Sequence, residues 1–353
     1  MRQIYDLPAH EDSLDSKNIS PELVLDFKPK IGENRGIIQI SALNLDTLAQ
    51  GVTSPQKTPI LKRARRKFIS QALALKLVDI ESSPLKGAYW NTYHCGNVIH
   101  QKEHTLTSRY CNGRWCGVCN AIRTRNLIIG YEASLKALQA SFFVTLTIVS
   151  IPAHELSNAL DGMLRTFQVI AQKFKTRRYR NTSMSQLVGI RKTEVTYNAI
   201  TNTYHPHYHC IIEGEVMATA LVTEWLARYP TASIKAQRVI PVTDGIVHEL
   251  FKYVTKIVTK SKGKTKVTPI KALDLIFSAM KGRQIFKAFG IPKLREVSED
   301  IDQIQAQEHT EIKHVTYDMW QYVTHVHDWI NEDGEFLTGY KPLQADIDAI
   351  SNF

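Results

Sequence analysis

Residues 203–212 (TYHPHYHCII) alternate histidine with proline, tyrosine and cysteine, and this stretch constrains the fold more than any other part of the chain. Successive side chains of a β-strand point to opposite faces, so the three histidines would share one face of a strand. The intervening Tyr208 and Cys210 would point to the other face, where Cys210 fits a small apolar core residue. The pattern therefore predicts a strand that brings imidazoles together on one side of a sheet.

A second strand is predicted just before the first, over residues 188–197, with a hairpin turn centred between Ile200 and Thr201. Glu194 and His207 are equidistant from that centre, and opposed residues of an antiparallel pair share a face with Cβ atoms about 5 Å apart. A carboxylate and two imidazoles suit a divalent cation such as Mn²⁺ or Mg²⁺, or zinc. His207 and His209 are the predicted ligand pair, with Glu194 as the leading third ligand and His205 as its rival. The alternative is a strand surface without a metal.

The remaining elements predict a mixed fold. Residues 141–149 (SFFVTLTIV) are β-branched and aromatic, which fits a buried strand. Apolar residues recur at helical spacing after Pro152, and further helices are predicted over 216–228, 246–260 and up to residue 279, with a lysine-rich loop over 260–266. We predict an α/β (α+β) fold with a largely antiparallel sheet flanked by helices.

The predicted helix over 246–260 carries Glu249 and Tyr253 four residues apart, on one face, with Lys252 and Lys256 beside them. A tyrosine hydroxyl has a pKa of about 10 and is a poor nucleophile near neutral pH. Cations and a metal-polarised phosphate would favour attack by its oxyanion. Taken alone, Tyr253 fits a packed amphipathic aromatic residue better than a catalyst.

Four cysteines lie within 25 residues, spaced Cys-x15-Cys-x4-Cys-x2-Cys. The N-terminus lacks the segments of a secretory signal, so a cytoplasmic protein is expected and thiolate metal binding is favoured over disulfides. Four thiolates would bind a structural zinc tetrahedrally, with His94 and His100 as candidate substitutes. The alternative is reduced cysteines packed in a core. The predicted zinc ligands are Cys95, Cys111, Cys116 and Cys119.

The charge of the chain is divided between its ends and its middle. Residues 48–295 hold 37 basic and 13 acidic side chains, a balance of +24, whereas both ends are acidic. Such a body attracts polyanions such as DNA, although a merely solvated basic surface is the alternative. No run of about 18 apolar residues predicts a membrane span. The candidate DNA contacts are Arg109, Arg114, Arg123, Arg125, Arg177, Arg178, Arg180 and Lys252.

Three motifs in one order carry a family resemblance. Residues 143–147 (FVTLT), 205–209 (HPHYH) and 249–256 (ELFKYVTK) resemble those of the rolling-circle replication initiators of small bacterial plasmids, a branch of the HUH endonucleases. The resemblance spans roughly residues 90–295, and the tyrosine follows the histidines, unlike the order in plasmid-mobilising relaxases. It implies an HUH-type sheet preceded by a cysteine-rich zinc-binding segment.

The resemblance also implies an activity. Such a protein binds its plasmid's double-strand origin, nicks one strand through tyrosine attack, stays attached to the 5′ phosphate and leaves a free 3′ hydroxyl for the polymerase. His207 and His209 match the metal-binding pair, Tyr253 the nucleophile, and Glu249 a carboxylate that activates water to end the cycle. Lys256, one helical turn beyond Tyr253, would stabilise charge on the phosphate or the tyrosinate. An extruded, single-stranded target is expected, and host helicase and polymerase are expected partners.

Composition, charge and the motifs together divide the chain into four predicted parts, of which the two ends have no counterpart in the family pattern. Residues 1–58 are expected as an acidic, partly ordered leader and 59–135 as a basic, cysteine-rich, DNA-binding segment. Residues 136–295 would be the nicking domain and 296–353 an acidic C-terminal tail. Two competing functions stay open: a non-catalytic, zinc-stabilised DNA-binding regulator, and a related single-tyrosine transposase.

Overall fold

The computed structural model describes residues 58–102, 105–176, 186–243, 250, 258–261, 264–292 and 318–351. Over these ranges the chain forms antiparallel sheets flanked by helices, so the predicted fold class is confirmed. None of the described helices combines the length and the apolar character needed to cross a bilayer. The predicted leader, except for Thr58, lies outside the described residues.

The described strands, in chain order, are β1 Val98–Lys102, β2 Thr105–Ser108, β3 Ser141–Thr147, β4 Gly189–Asn198, β5 Thr203–Glu213, β6 Arg238–Pro241, β7 Val258–Ser261, β8 Lys264–Val267, β9 Phe286–Phe289, β10 Asp318–Val323 and β11 Asp328–Ile330. The described α-helices are α1 Thr58–Val78, α2 Lys86–Tyr93, α3 Gly117–Lys136, α4 Leu156–Lys175, α5 Glu215–Arg228, α6 Ile270–Met280 and α7 Gln344–Ser351. A short 3₁₀ turn, Ala153–Glu155, leads into α4.

The central sheet has the order β6-β3-β5-β4-β9, with antiparallel neighbours throughout. The histidine-bearing strand β5 is its middle strand, and Glu194 of β4 lies opposite His207, as the hairpin symmetry predicted. Gly189 opens β4 at φ +153°, and a Cβ there would come within 1.9 Å of the Ile211 carbonyl oxygen. A glycine at this position therefore allows β4 to approach β5 closely.

Helices α4 and α5 cover the face of this sheet that carries Tyr208. The buried stripe of α4 includes Phe167, whose ring lies 5.8 Å from that of Tyr208, and Trp225 of α5 lies 5.7 Å from the same ring. Cys210 is fully buried, and burial raises the pKa of its thiol to about 12. Tyr208 and Cys210 thus pack in the interior while the alternate residues of β5 face the other way, as the strand pattern predicted.

The prediction for residues 246–266 was wrong at its C-terminal end. Residues 258–261 and 264–267, expected as the end of a helix and a lysine-rich loop, form the antiparallel pair β7 and β8. Residues 258 and 259 are valine and threonine, and residues 264–267 alternate lysine with threonine and valine; β-branched residues of this kind favour strands. Residues 244–249 and 251–257 lie outside the described residues, whereas Leu250 is buried in the core cluster that also contains Ile190 and Ile211.

A second antiparallel sheet joins distant parts of the sequence in the order β11-β10-β1-β2. Its strands β10 and β11 come from the segment expected as an acidic tail, of which residues 318–351 are described. The Trp329 indole donates a hydrogen bond to the Gly96 carbonyl at 2.7 Å, and the Tyr322 amide donates to the Asn97 carbonyl at 2.7 Å. The C-terminal strands therefore hold the loop that follows Cys95.

A buried ion pair ties the C-terminal helix to α1. Arg65 Nη2 donates to Asp346 Oδ1 at 2.6 Å, and Arg65 Nε donates to Asp346 Oδ2 at 2.9 Å. The two side chains thus form a bidentate ion pair. Both side chains are almost completely buried. Removing one partner would leave the other charge buried and uncompensated, which is strongly destabilising.

We expect Asp346→Ala to lower the free energy of unfolding by about 3 to 5 kcal/mol, because it leaves the buried Arg65 guanidinium without an opposite charge. Denaturant unfolding followed by circular dichroism measures this change. Asp348→Ala, an exposed change on the same helix, is the matched control and should cost less than about 0.5 kcal/mol. Equal losses in the two variants would show that the ion pair contributes nothing specific.

Candidate metal centres

Glu194, His207 and His209 meet on one face of the central sheet. Glu194 Oε1 lies 3.9 Å from His207 Nε2, and Glu194 Oε2 lies 3.7 Å from His209 Nε2. Donor atoms about 2.1 Å from one ion lie about 3.0 to 3.5 Å apart, so a small closure of these side chains suits a single divalent cation. The Glu194 side chain is 3% exposed and that of His209 is 21% exposed, so the group opens to solvent at His209.

A contact at the Nδ1 atom of each ring fixes the orientation of the His207 and His209 imidazoles. His207 Nδ1 lies 3.0 Å from the His205 carbonyl oxygen, which can only accept, so Nδ1 carries the proton and Nε2 is left as the donor to a metal. His209 Nδ1 lies 3.3 Å from Thr145 Oγ1 on β3, and the His209 ring stacks on Phe143 at 5.2 Å. The backbone of β5 and two side chains of β3 therefore orient the imidazoles so that both Nε2 atoms face Glu194.

His205, the rival third ligand, lies outside this group of donor atoms. Its ring stacks against that of His207 at a centroid distance of 5.4 Å, and burial lowers its pKa. The described residues with donor atoms within 4.8 Å of one another are Glu194, His207 and His209. The geometry thus favours the carboxylate over His205.

Lys192 is a member of this site that the sequence analysis missed. Its Nζ lies 3.1 Å from Glu194 Oε2, and its side chain is 3% exposed. The signal was present in the sequence, because residues 192 and 194 of one strand share a face. A lysine beside a predicted metal ligand is easily overlooked, since it cannot bind the metal while it is protonated.

The four predicted cysteines also converge. Cys95 Sγ lies 3.5 Å from Cys119 Sγ, and Cys111 Sγ lies 3.6 Å from Cys119 Sγ. Sulfur atoms around one tetrahedral zinc, each about 2.3 Å from the metal, lie about 3.8 Å apart, whereas a disulfide requires about 2.05 Å. All four sulfurs belong to one group that could hold a metal ion, and all are free thiols.

Neighbouring backbone groups support charge on these sulfurs. The Cys111 amide donates to Cys95 Sγ and the Gly113 amide donates to Cys111 Sγ, both at 3.3 Å. Hydrogen bonds from Cys116 and Cys119 lower the pKa of the Cys111 thiol, and hydrogen bonding to Cys111 raises the pKa of Cys116 and Cys119. A bound divalent metal would displace the remaining protons.

Helix α1 supports the cysteine group through two polar side chains. Lys67 is buried and donates to the Tyr93 carbonyl at 2.7 Å and to Asn97 Oδ1 at 2.6 Å, on either side of Cys95. Burial lowers the pKa of Lys67 to about 8, and the nearby cysteines oppose that shift. Ser70 Oγ accepts a hydrogen bond at 2.8 Å from the Gly117 amide, next to Cys116. Lys67 therefore places a cation beside the thiolates.

The candidate substitutes His94 and His100 are not members of the cysteine group. Both are exposed, and the His94 ring stacks on Trp90 at 6.1 Å. The four cysteines therefore make the donor set without a histidine.

The predicted DNA-contacting arginines differ in their surroundings. Arg109 and Arg125 are exposed. Arg114 donates to the carbonyl oxygens of Met280, at 3.0 Å, and Arg283, and Arg123 donates to Asn120 Oδ1 at 2.9 Å. The other predicted site residues lie outside the described residues: Arg177, Arg178, Arg180, Glu249, Lys252, Tyr253 and Lys256.

Comparison with known proteins adds an independent finding. Residues 102–215 match the family model Rep_1, described as replication protein. This segment of the chain is therefore similar to the Rep_1 replication proteins. The resemblance to replication initiators drawn from the motifs is therefore confirmed. The matched Rep_1 segment contains three of the four cysteines and the whole Glu194, His207 and His209 group, and it ends before Tyr253.

Curated relatives agree with the Rep_1 match. The chain is 27% identical over 157 residues to "Protein rep" of Streptococcus pneumoniae serotype 2 (strain D39 / NCTC 7466), covering 40% of this chain and 46% of that protein. It is 25% identical over 118 residues to "Protein rep" of Staphylococcus aureus, covering 32% and 48%, and 30% identical over 112 residues to "Protein rep" of a Bacillus species, covering 30% and 34%. The chain thus spans about half the length, or less, of these relatives. No solved structure matches it.

Proposed function

We propose that this chain initiates plasmid DNA replication by nicking one strand of its origin. The proposal depends on one observation: Glu194, His207 and His209 converge on β4 and β5, which form the longest ladder of the central sheet. A carboxylate with two imidazoles and one side open to solvent is a suitable set for Mn²⁺ or Mg²⁺ acting on a phosphodiester. The Rep_1 match over the same strands supports the same class of protein.

The proposed reaction is a transesterification. The Tyr253 hydroxyl loses its proton and its oxygen forms a bond to phosphorus, while the bond between phosphorus and the 3′ oxygen breaks. The 3′ oxygen takes up one proton and leaves as a free hydroxyl, so the proton lost by tyrosine is balanced. A metal ion on the three donors would polarise the phosphate and stabilise its negative charge. Glu249 is proposed as the base that activates water for release, and Lys256 as a charge-stabilising group. Rejoining reverses the same bond changes.

The proposed partners follow from this reaction. The substrate is origin DNA, bound as duplex and cleaved as an extruded single strand, and host helicase and polymerase would act at the nick. The exposed Arg109 and Arg125 are proposed phosphate contacts near the cysteine group, for which we propose structural Zn²⁺. The remaining proposed DNA contacts are Arg114, Arg123, Arg177, Arg178, Arg180 and Lys252.

We expect the double variant His207→Ala and His209→Ala to lower the rate of Mn²⁺-dependent cleavage by at least about 100-fold, because loss of even a supporting contact of a metal ligand typically costs 10 to 100-fold. The assay uses end-labelled single-stranded oligonucleotides tiling the chain's own replicon, with and without Mn²⁺, on denaturing gels. A covalent, SDS-resistant adduct on the 5′ phosphate is the expected product.

His205→Ala is the matched control, since it removes a histidine of the same strand and face that lies outside the donor group. Cleavage by this variant should stay within a few-fold of wild type. Loss of cleavage in His205→Ala but not in Glu194→Ala would make His205 the third ligand. Salt-sensitive DNA binding without an adduct on any oligonucleotide or on supercoiled plasmid would instead identify a non-catalytic regulator.

A further inference from the structure

Lys192 and His209 converge on one carboxylate oxygen. Lys192 Nζ lies 3.1 Å and His209 Nε2 lies 3.7 Å from Glu194 Oε2, and residues 192 and 209 are directly opposed in the β4–β5 ladder. The side chains of Lys192 and Glu194 are each 3% exposed. A lysine in the interior of a sheet is costly to bury without an opposite charge, and Glu194 supplies that charge.

The same carboxylate is the anionic donor of the candidate metal site. The Lys192 ammonium and the Glu194 carboxylate form an ion pair of opposite unit charges, and an imidazole binds a metal in its neutral form. Glu194 would then be shared between Lys192 and a divalent ion held by Glu194, His207 and His209. Two cations a few ångströms apart in a buried site repel strongly, so the lysine opposes ion binding.

The same positive charge that opposes ion binding would favour cleavage of a phosphodiester. With a divalent ion bound, the four side chains and the ion carry an excess of two positive charges, and without the lysine the excess would be one. A phosphodiester carries one negative charge, and its pentacovalent transition state carries more. Positive charge held beside that centre before the reaction begins lowers the barrier without further reorganisation.

We propose that Lys192 is a positioning residue of the metal centre, which orients the Glu194 carboxylate and keeps a fixed positive charge beside the three metal donors. The inference rests on the proposed nicking function, because it assigns this role at the same site. It differs from a purely structural role in one measurable way. A structural lysine supports folding and metal binding together, whereas the proposed lysine weakens metal binding and accelerates cleavage.

The test compares Lys192→Met, which removes the charge and keeps a long side chain, with Lys192→Arg, which keeps the charge. Isothermal titration of the full chain measures Mn²⁺ affinity, and single-turnover cleavage at saturating Mn²⁺ measures the rate. We expect Lys192→Met to bind Mn²⁺ about tenfold more tightly and to cleave about tenfold more slowly, given the repulsion between close cations. Lys192→Arg should return both values toward wild type.

Lys287→Met is the matched control, since Lys287 is an exposed lysine on the neighbouring strand β9. It should leave Mn²⁺ affinity and cleavage unchanged. Unchanged or weaker Mn²⁺ binding by Lys192→Met would overturn the proposal, as would unchanged cleavage. If Lys192→Met folds only when Mn²⁺ is present, as judged by thermal melting, the ion is replacing the missing charge and the proposal is supported. Failure to fold even with saturating Mn²⁺ would overturn it.

The two proposals fail in different ways. A wild-type chain that binds Mn²⁺ but never cleaves any replicon oligonucleotide would end the nicking proposal, and with it the role of Lys192 in cleavage. A chain that cleaves, with Lys192→Met matching it in both measurements, would end only the inference about Lys192. Absence of Mn²⁺ binding in both wild type and Lys192→Met would overturn both.

Discussion

Tyr253→Phe is expected to abolish covalent attachment to DNA, with the rate of adduct formation falling by about 10⁴-fold or more, since it deletes the oxygen proposed as the nucleophile. Leu250, three residues earlier in the sequence, is buried in the cluster that contains Ile190 and Ile211, which lie on the same face of β4 and β5 as Glu194 and His207. Denaturing gels of end-labelled oligonucleotides with Mn²⁺ measure the adduct.

Tyr197→Phe is the matched control for this experiment. It removes a hydroxyl from the β4–β5 hairpin, where Tyr197 donates to Asn202 Oδ1 at 2.8 Å, and it should leave adduct formation intact. Mn²⁺ binding by Tyr253→Phe should also match wild type, because the three metal donors are untouched. An SDS-resistant adduct that survives in Tyr253→Phe would assign the nucleophile to another residue.

The second large effect is expected at the cysteine group. The double variant Cys116→Ser and Cys119→Ser should lose its bound zinc and unfold the surrounding segment, since structural zinc sites release about 10 to 16 kcal/mol on binding in small zinc peptides. Metal analysis of the purified chain measures zinc content, and limited proteolysis measures the integrity of the segment. We expect one zinc per wild-type chain, because four sulfurs form one group.

Cys210→Ala is the control for the cysteine experiment, because Cys210 is a buried free cysteine of the central sheet and not a member of the four-sulfur group. It should keep a full equivalent of zinc and lose only the modest stability of a trimmed core residue. Zinc that persists after the double substitution would show that the four cysteines do not hold it. A wild-type chain without zinc would favour the alternative, in which the four thiols only pack in the core.

The sequence predicted the central hairpin well because its information is local. The two-residue period of a strand and the symmetry of one turn place Glu194 opposite His207, and the ladder confirms that pairing. The end of the 246–260 helix was predicted wrongly because a helical period was extended into Val258–Ser261, where β-branched residues favour a strand.

Other features depend on contacts between distant residues. No local pattern indicates that β10 pairs with β1, or that Asp346 meets Arg65, since each contact spans more than half of the chain. Arg114 was predicted to contact DNA from its neighbours in sequence, and its backbone partners on α6 and beyond become visible only in three dimensions. Its role in DNA binding stays a prediction.

The pairing of β1 with β10 also sets the order in which the chain can assemble during synthesis. Residue 102 leaves the ribosome long before residue 318, and at about 5 to 20 residues per second the interval is roughly 10 to 40 seconds. Over that time β1 lacks its C-terminal neighbour, and the Gly96 and Asn97 carbonyls lack the donors that hold the loop after Cys95. The loop after Cys95 therefore gains its C-terminal partners late in the synthesis of the chain.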